Sequence, residues 1–552
     1  MSRHPRRVVY VLAAAVLSAL PAAPAAAAPA DLSAPGDAHF DACGTPAPGK
    51  CIVRGVGDFN GDGLDDLVTE NGGQAVVAGA NVSVKRTFSV MYAPFGPDGA
   101  DRKGAIKLST VPAAVPVTVA DVDADGRDDI VFVGQHLVPL ARAGAPGAAG
   151  TRFQRVLRVS VVLGRPSGLI ALDLHDGDRA DVVVERVLEA GEQTASAGQG
   201  LFAAAAFGDF DADGTVDLAL GFGAPNNRFI TDTRGGSVPV NDLVANDVEV
   251  MHGVGAAPGR RTFTADLRIT DLGACDQPLA GAGDVSGDGI ADIVGRRCPG
   301  SGLPDGVWVQ PGAAADAAAP GDGGTPAVVR IGTAGTASGA AFDPRGAAGD
   351  TTDVVPPPPP SPGRGYVGGA GGGGLNLIQP GDPVPLFVTD VDDDGTADIV
   401  HVFRGSAHVW LGGPDIAADA LANRTDRIYL GAGFSELART RAWRTGDLDG
   451  DGGPDLLLAD ALPVVAEGKP TAIVRFDERT RVPLRLFRGA RAAADVIDLA
   501  TETPDAQWAA PAQALWGMGD FNGDGAVDLL MADPAAARGS DVSIVHGPLT
   551  AR

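Results

Sequence analysis

At 552 residues, with 45% hydrophobic but only 5% aromatic residues, the chain can bury a sizeable core only through Val, Leu, Ile and Ala. Its formal charge of −26 excludes the basic footprint that nucleic-acid binding requires. The 78 glycines and 42 prolines suit many short strands and turns rather than long helices.

Residues 1–30 read as a secretory signal. Arg3, Arg6 and Arg7 form the positive start, Val8 to Leu20 the apolar stretch, and Ala28-Pro29-Ala30 a small-residue cleavage site. About a dozen apolar residues are short for a span of roughly 20. The expectation is a secreted protein with no membrane span once the signal is removed. Losing three arginines and no acids takes the charge from −26 to −29. Export also permits disulfides. The local pairs are Cys43 with Cys51 and Cys275 with Cys298, one of three possible connectivities.

One motif then recurs along the chain: oxygen-bearing residues at positions 1, 3, 5 and 9 of a loop, with glycine at position 6. The first copy is Asp58, Asn60, Asp62 and Asp66; the second is Asp121, Asp123, Asp125 and Asp129. Asp209, Asp211, Asp213 and Asp217 are third, and Asp284, Ser286, Asp288 and Asp292 fourth. Asp390, Asp392, Asp394 and Asp398 follow, then Asp447, Asp449, Asp451 and Asp455, and last Asp520, Asn522, Asp524 and Asp528. A hard cation such as calcium takes six to eight oxygens. Alternate residues of a tight loop turn their oxygens to one centre, and the glycine supplies a bend that a Cβ resists. No glutamate stands at position 12 and no amphipathic helix follows, so this is not an EF-hand. About seven calcium sites are expected. They hold 25 of the 69 acidic residues, and seven ions would bring the charge from −29 to −15. With Kd around 10⁻⁴–10⁻³ M, each site at ten times Kd contributes about 1.4 kcal/mol. Seven together reach roughly 10 kcal/mol, comparable to the stability of a whole domain. Such ions are structural.

Each loop leads into a short apolar run that reads as a buried strand. Farther on lies a period-two strand ending in glycine: Val159–Gly164, Val248–Gly253, Val307–Gly312, His408–Gly412, Leu484–Gly489 and Val542–Gly547, with Phe88–Tyr92 a looser first copy. Seven loops and seven such strands agree. A degenerate loop at Asp173, with Asp181 at position 9, is too close to the next loop for a full repeat and reads as an elaborated outer strand. The segment 333–383, with Pro356–Pro360 and a glycine tract, reads as a surface insertion without packed structure. Trp308 and Trp410 lie on matching strands, which favours core over sugar platform. The last repeat stops after its third strand. Residues near Ala38–Cys43 are expected to pair with Ser540–Val545 and cover the exposed edge.

Phe207-Gly208 before the third loop and Gly223-Ala224-Pro225 after it resemble the FG-GAP repeat, related to the VCBS repeat and best known from the integrin α-subunit head. In the last copy the signature decays to Trp516-Gly517 and Ala532-Asp533-Pro534. The resemblance implies an all-β, seven-bladed β-propeller over residues 31–552, each blade four-stranded, with a calcium loop between its first two strands. It also implies an adhesion or protein-binding module with an extracellular protein or glycan ligand. A lectin-type glycan-binding propeller is the alternative, and a polysaccharide- or lipid-active enzyme a weaker one. His252 and His546 share one repeat position and read as framework; no nucleophile elbow, HExxH or P-loop is present. The expectation is therefore a monomeric binding protein, not an enzyme.

Overall fold

The computed structural model describes residues 30–31, 38–41, 52–71, 74–77, 80–83, 86–95, 106–110, 115–139, 153–166, 172–173, 180–188, 202–231, 237–269, 279–297, 306–314, 329–332, 386–403, 406–417, 427–430, 439–444, 446–461, 481–488, 496–499, 502–511, 515–532 and 541–549. Residues 1–29 of the signal segment, the four cysteines and the insertion 333–383 lie outside these residues, whereas Ala30, the last residue of that segment, pairs with Trp508. What is described is all-β, with a single helical turn at Pro414–Ala417 and a 3-10 turn at Val254–Ala256. Among the described residues, no helix is long and apolar enough to cross a membrane.

The described strands form seven sheets of four or five strands and one small hairpin. We number the sheets 1 to 7 by the loop that joins their first two strands. In sheet 1 the loop lies between Ile52–Gly57 and Asp66–Asn71, with Arg86–Met91 third and Ile106–Thr110 fourth. Sheet 3 follows the same order with Phe202–Gly208, Asp217–Thr231, Ser237–Met251 and Leu267–Ile269. Its register shifts between Gly223 and Pro225, where proline has no N–H for the ladder.

The second strands explain the short apolar runs. Leu67 and Val68 are adjacent, fully buried, and point to opposite faces. Leu67 packs with Met91, Leu530 and Ile544, joining sheets 1 and 7. Val68 packs with Phe88, Ile130 and Phe132, joining sheets 1 and 2. The same division holds at Ile130/Val131, Leu218/Ala219, Ile293/Val294, Ile399/Val400, Leu456/Leu457 and Leu529/Leu530. A strand covered on both faces needs a continuous apolar run, and each Leu or Val so buried contributes about 1.5–3 kcal/mol. Each of the seven clusters found among the described residues is shared by two successive sheets, one of them joining sheet 7 to sheet 1.

Four sheets acquire a fifth strand in parallel from a distant part of the chain. Leu172–Asp173 joins sheet 1, Gly259–Thr262 sheet 2, Val496–Asp498 sheet 5 and Ala30–Asp31 sheet 6. Asp173 therefore begins no eighth unit. It sits at the edge of sheet 1, while Val182–Val187 is the fourth strand of sheet 2. Ala38–Asp41 pairs antiparallel with Asp541–Val545, Ala38 opposite Ile544, and completes sheet 7. Trp308 and Trp410 are fully buried, which makes them core.

Candidate metal centres

Each loop is a cage of backbone donors closed around two aspartates. The position-1 carboxylate accepts the position-6 N–H in all seven copies, from Gly63 to Asp58 through Gly525 to Asp520, at 2.8–2.9 Å. The position-5 carboxylate accepts the N–H two residues on, as at Leu64 to Asp62 (3.0 Å) and Thr215 to Asp213 (2.7 Å). Position 6 lies in the left-handed region, from φ 83° at Gly214 to 94° at Gly452, which is why glycine is invariant there.

Position 4 is also left-handed in every copy, including Ala124 (φ 58°), Ala212 (57°) and Asp393 (62°). Sequence reading missed this. Its only trace is that position 4 is glycine in four loops and alanine or aspartate in three.

Position 9 is the most buried ligand position of the loop. Asp66, Asp129, Asp217, Asp292, Asp398, Asp455 and Asp528 are at most 2% exposed. In each, one oxygen accepts the position-2 N–H, for example Val285 to Asp292 at 2.9 Å and Val391 to Asp398 at 2.7 Å. In six, the other oxygen accepts the N–H that follows the third strand: Ala93, Gly164, Gly253, Gly312, Gly412 or Gly547, at 2.7–2.8 Å. This aspartate ties loop to third strand whatever else it holds. It also explains the strand-ending glycine, since a Cβ on Gly412 would lie 2.4 Å from the Ala397 carbonyl oxygen.

Burial pushes the position-9 carboxyls up, with neighbouring loop carboxylates adding to it and backbone N–H donors opposing it. Asp66 rises to about 8, Asp129, Asp398 and Asp455 to about 7, and Asp217 to about 6; Asp292 and Asp528 are raised as well. For Asp292 and Asp528, hydrogen bonds from Ser286 and His546 work against the rise. Acids crowded and desolvated in this way are the setting that a bound cation relieves.

The donor set fits a divalent cation. Ligand atoms of Asp121, Asp123 and Asp129 lie within 4.8 Å of one another, as do those of Asp209, Asp211 and Asp213 and of Asp390, Asp392 and Asp398; those of Asp447, Asp449 and Asp455 converge too, but there Asp449 is also held by the Arg488 guanidinium. Asp123 Oδ1 is buried with no hydrogen-bond partner among the described residues. An all-oxygen set of this kind suits a hard ion such as calcium. Asn60, Ser286 and Asn522 put an amide or hydroxyl oxygen at position 3 instead of a carboxylate. Beside the third loop, His252 Nδ1 lies 3.0 Å from Asp211 Oδ2, and beside the seventh, His546 Nδ1 lies 2.9 Å from Asp528 Oδ2.

The loops also join neighbouring sheets. The position-8 N–H donates to the position-1 carbonyl of the preceding loop: Asp128 to Asp58, Ala291 to Asp209, Ala397 to Asp284, Val527 to Asp447 and Asp65 to Asp520. In the sixth loop position 8 is Pro454, which has no N–H to give.

No protein-family model matches the chain, and no curated protein matches it. Among solved structures it is similar to an exotype rhamnogalacturonan lyase, YesX, at 12% identity and TM-score 0.35, over 94% of this chain and 76% of that one. It is also similar to the rhamnogalacturonan lyase YesW, at 12% identity and TM-score 0.27, over 90% of each chain. A Bacillus licheniformis rhamnogalacturonan lyase gives 11% identity and TM-score 0.26, over 93% of this chain and 91% of that one. Overlaps this partial leave the fold and the sites to be argued from the chain itself. The expectation of a protein that is not an enzyme is nonetheless corrected: the neighbours found are lyases.

Proposed function

We propose that the chain is a secreted, calcium-stabilised propeller of the FG-GAP/VCBS kind, monomeric, with about seven loops built for ions of a structural role. One observation carries this reading: the same cage of hydrogen bonds recurs in seven loops whose sheets share cores in cyclic order. Seven hydrophobic clusters each bridge two successive sheets, with sheet 7 returned to sheet 1. The bonds between Asp65 and the Asp520 backbone support closure at the same point. A ring of this kind removes exposed strand edges.

The ligand class taken here is an extracellular polysaccharide, bound or cleaved, with rhamnogalacturonan, the polymer named for the solved neighbours, tested first. The test is incubation of the pure protein with a panel of pectic and other polysaccharides, in calcium and in chelator. Retention on a polymer or release of shorter chains, both requiring calcium, is the expected result. Retention by immobilised cell-surface proteins but by no polysaccharide would replace this reading with the adhesion one.

A further inference from the structure

The residue just before the strand-ending glycine meets a loop carboxylate at His252 and at His546, and in sheet 6 that residue is Arg488. It closes the strand Arg481–Arg488, and its own N–H donates to Asp505 at 3.0 Å. Its guanidinium reaches into the loop. Nε lies 2.6 Å from Asp449 Oδ2 and 3.0 Å from Asp451 Oδ2, and the terminal nitrogen is 2.5 Å from Asp449 Oδ2. Asp449 and Asp451 are positions 3 and 5, and the Asp449 side chain is only 1% exposed. Two carboxylates that would face a divalent ion are thus already bridged by a fixed positive charge.

The other loops differ. Arg127 in the second loop meets Asp125, His252 meets Asp211 and His546 meets Asp528. In the first and fourth loops, no cationic side chain reaches a ligand position among the described residues. Guanidinium stays charged at any working pH, and its hydrogen bonds to carboxylates are of the strong, charge-assisted kind. Calcium would need the same oxygens at about 2.3–2.6 Å, against the repulsion of that charge.

We propose that Arg488 is the resident cation of the sixth loop, which closes without a metal ion. The chain then takes one divalent ion fewer than it has loops. This rests on the reading of the remaining loops as calcium sites, and the experiment separates the two.

Calcium bound per chain is counted by equilibrium dialysis and elemental analysis on the full protein at millimolar calcium. Asp288→Ala in the fourth loop is expected to lower the count by one, Asp451→Ala to leave it unchanged, and Arg488→Gln to raise it by one. A loss of one ion in Asp451→Ala overturns the proposal while the calcium reading stands. Should that variant fail to fold, an unchanged count in Arg488→Gln overturns it equally. A wild-type chain that binds no calcium removes the calcium reading itself, and this inference with it.

Discussion

The fourth and sixth loops share one skeleton and differ in what fills it. In both, the position-1 aspartate accepts the N–H groups of positions 4, 5 and 6: Gly287, Asp288 and Gly289 on Asp284, and Gly450, Asp451 and Gly452 on Asp447. In both, the position-9 aspartate accepts from positions 2 and 3, at Asp292 and Asp455. Yet the fourth places a serine hydroxyl at position 3, and the sixth a carboxylate held by Arg488. The lesson is that backbone donors and two aspartates shape the loop, while the cation is a separate and exchangeable part. The neighbouring joins differ too: Ala397 donates to Asp284, whereas Pro454 has nothing to donate across the join between sheets 5 and 6.

Chelation should have the largest effect. Six filled sites at ten times Kd, each about 1.4 kcal/mol, amount to roughly 8 kcal/mol. Thermal unfolding in EDTA and in millimolar calcium measures the total, and an unchanged melting temperature would remove calcium from the account. Hydrogen exchange sharpens the comparison. Protection across 284–292 should fall in EDTA while 447–455 keeps most of its own.

Next in size are the position-9 aspartates. Asp292→Ala and Asp455→Ala each strand buried N–H groups, so each should cost about 3 kcal/mol in chemical denaturation. That cost should appear with or without calcium. If Asp292→Ala is harmful only in calcium, this residue is a ligand first and the shared skeleton is misread.

Removal of residues 31–42 should cost less, by shortening the parallel pairing on sheet 6 and taking the outer strand from sheet 7. The uncovered edge should self-associate, which light scattering would detect. A truncated chain that stays monomeric and equally stable would show that these pairings are not needed.

The pH dependence is read by its sign rather than its size. Folding raises these carboxyls above their ordinary value near 3.8, to about 7 at Asp455 and about 8 at Asp66. Their contribution is therefore full below that ordinary value and is lost as pH rises through about 7 to 8. In chelator the protein should melt higher at pH 5 than at pH 8. In calcium the order should reverse, because an ion favours the ionised carboxylates that protons oppose. The same order in both media would mean the loops hold no ion.

Much of this was legible in the chain. Local spacing determined the loops, because ligands at 1, 3, 5 and 9 with glycine at 6 lie within nine residues and need no distant partner. The apolar pairs such as Leu67-Val68 and the strands ending in glycine were equally plain, since period and burial are written in consecutive residues. Tertiary structure decided what depends on partners far along the chain. Leu172–Asp173 pairs with sheet 1 and not with its own sheet 2, and Ala30–Asp31 with sheet 6, because an open edge accepts any strand that reaches it. In six of the seven loops the second hydrogen bond of the position-9 aspartate comes from a residue 14 to 36 positions away, so the motif could not separate its binding role from its structural one. Arg488 lies 39 residues from Asp449, and only the pairing of strands Asp455–Ala461 and Arg481–Arg488 brings a guanidinium to the loop.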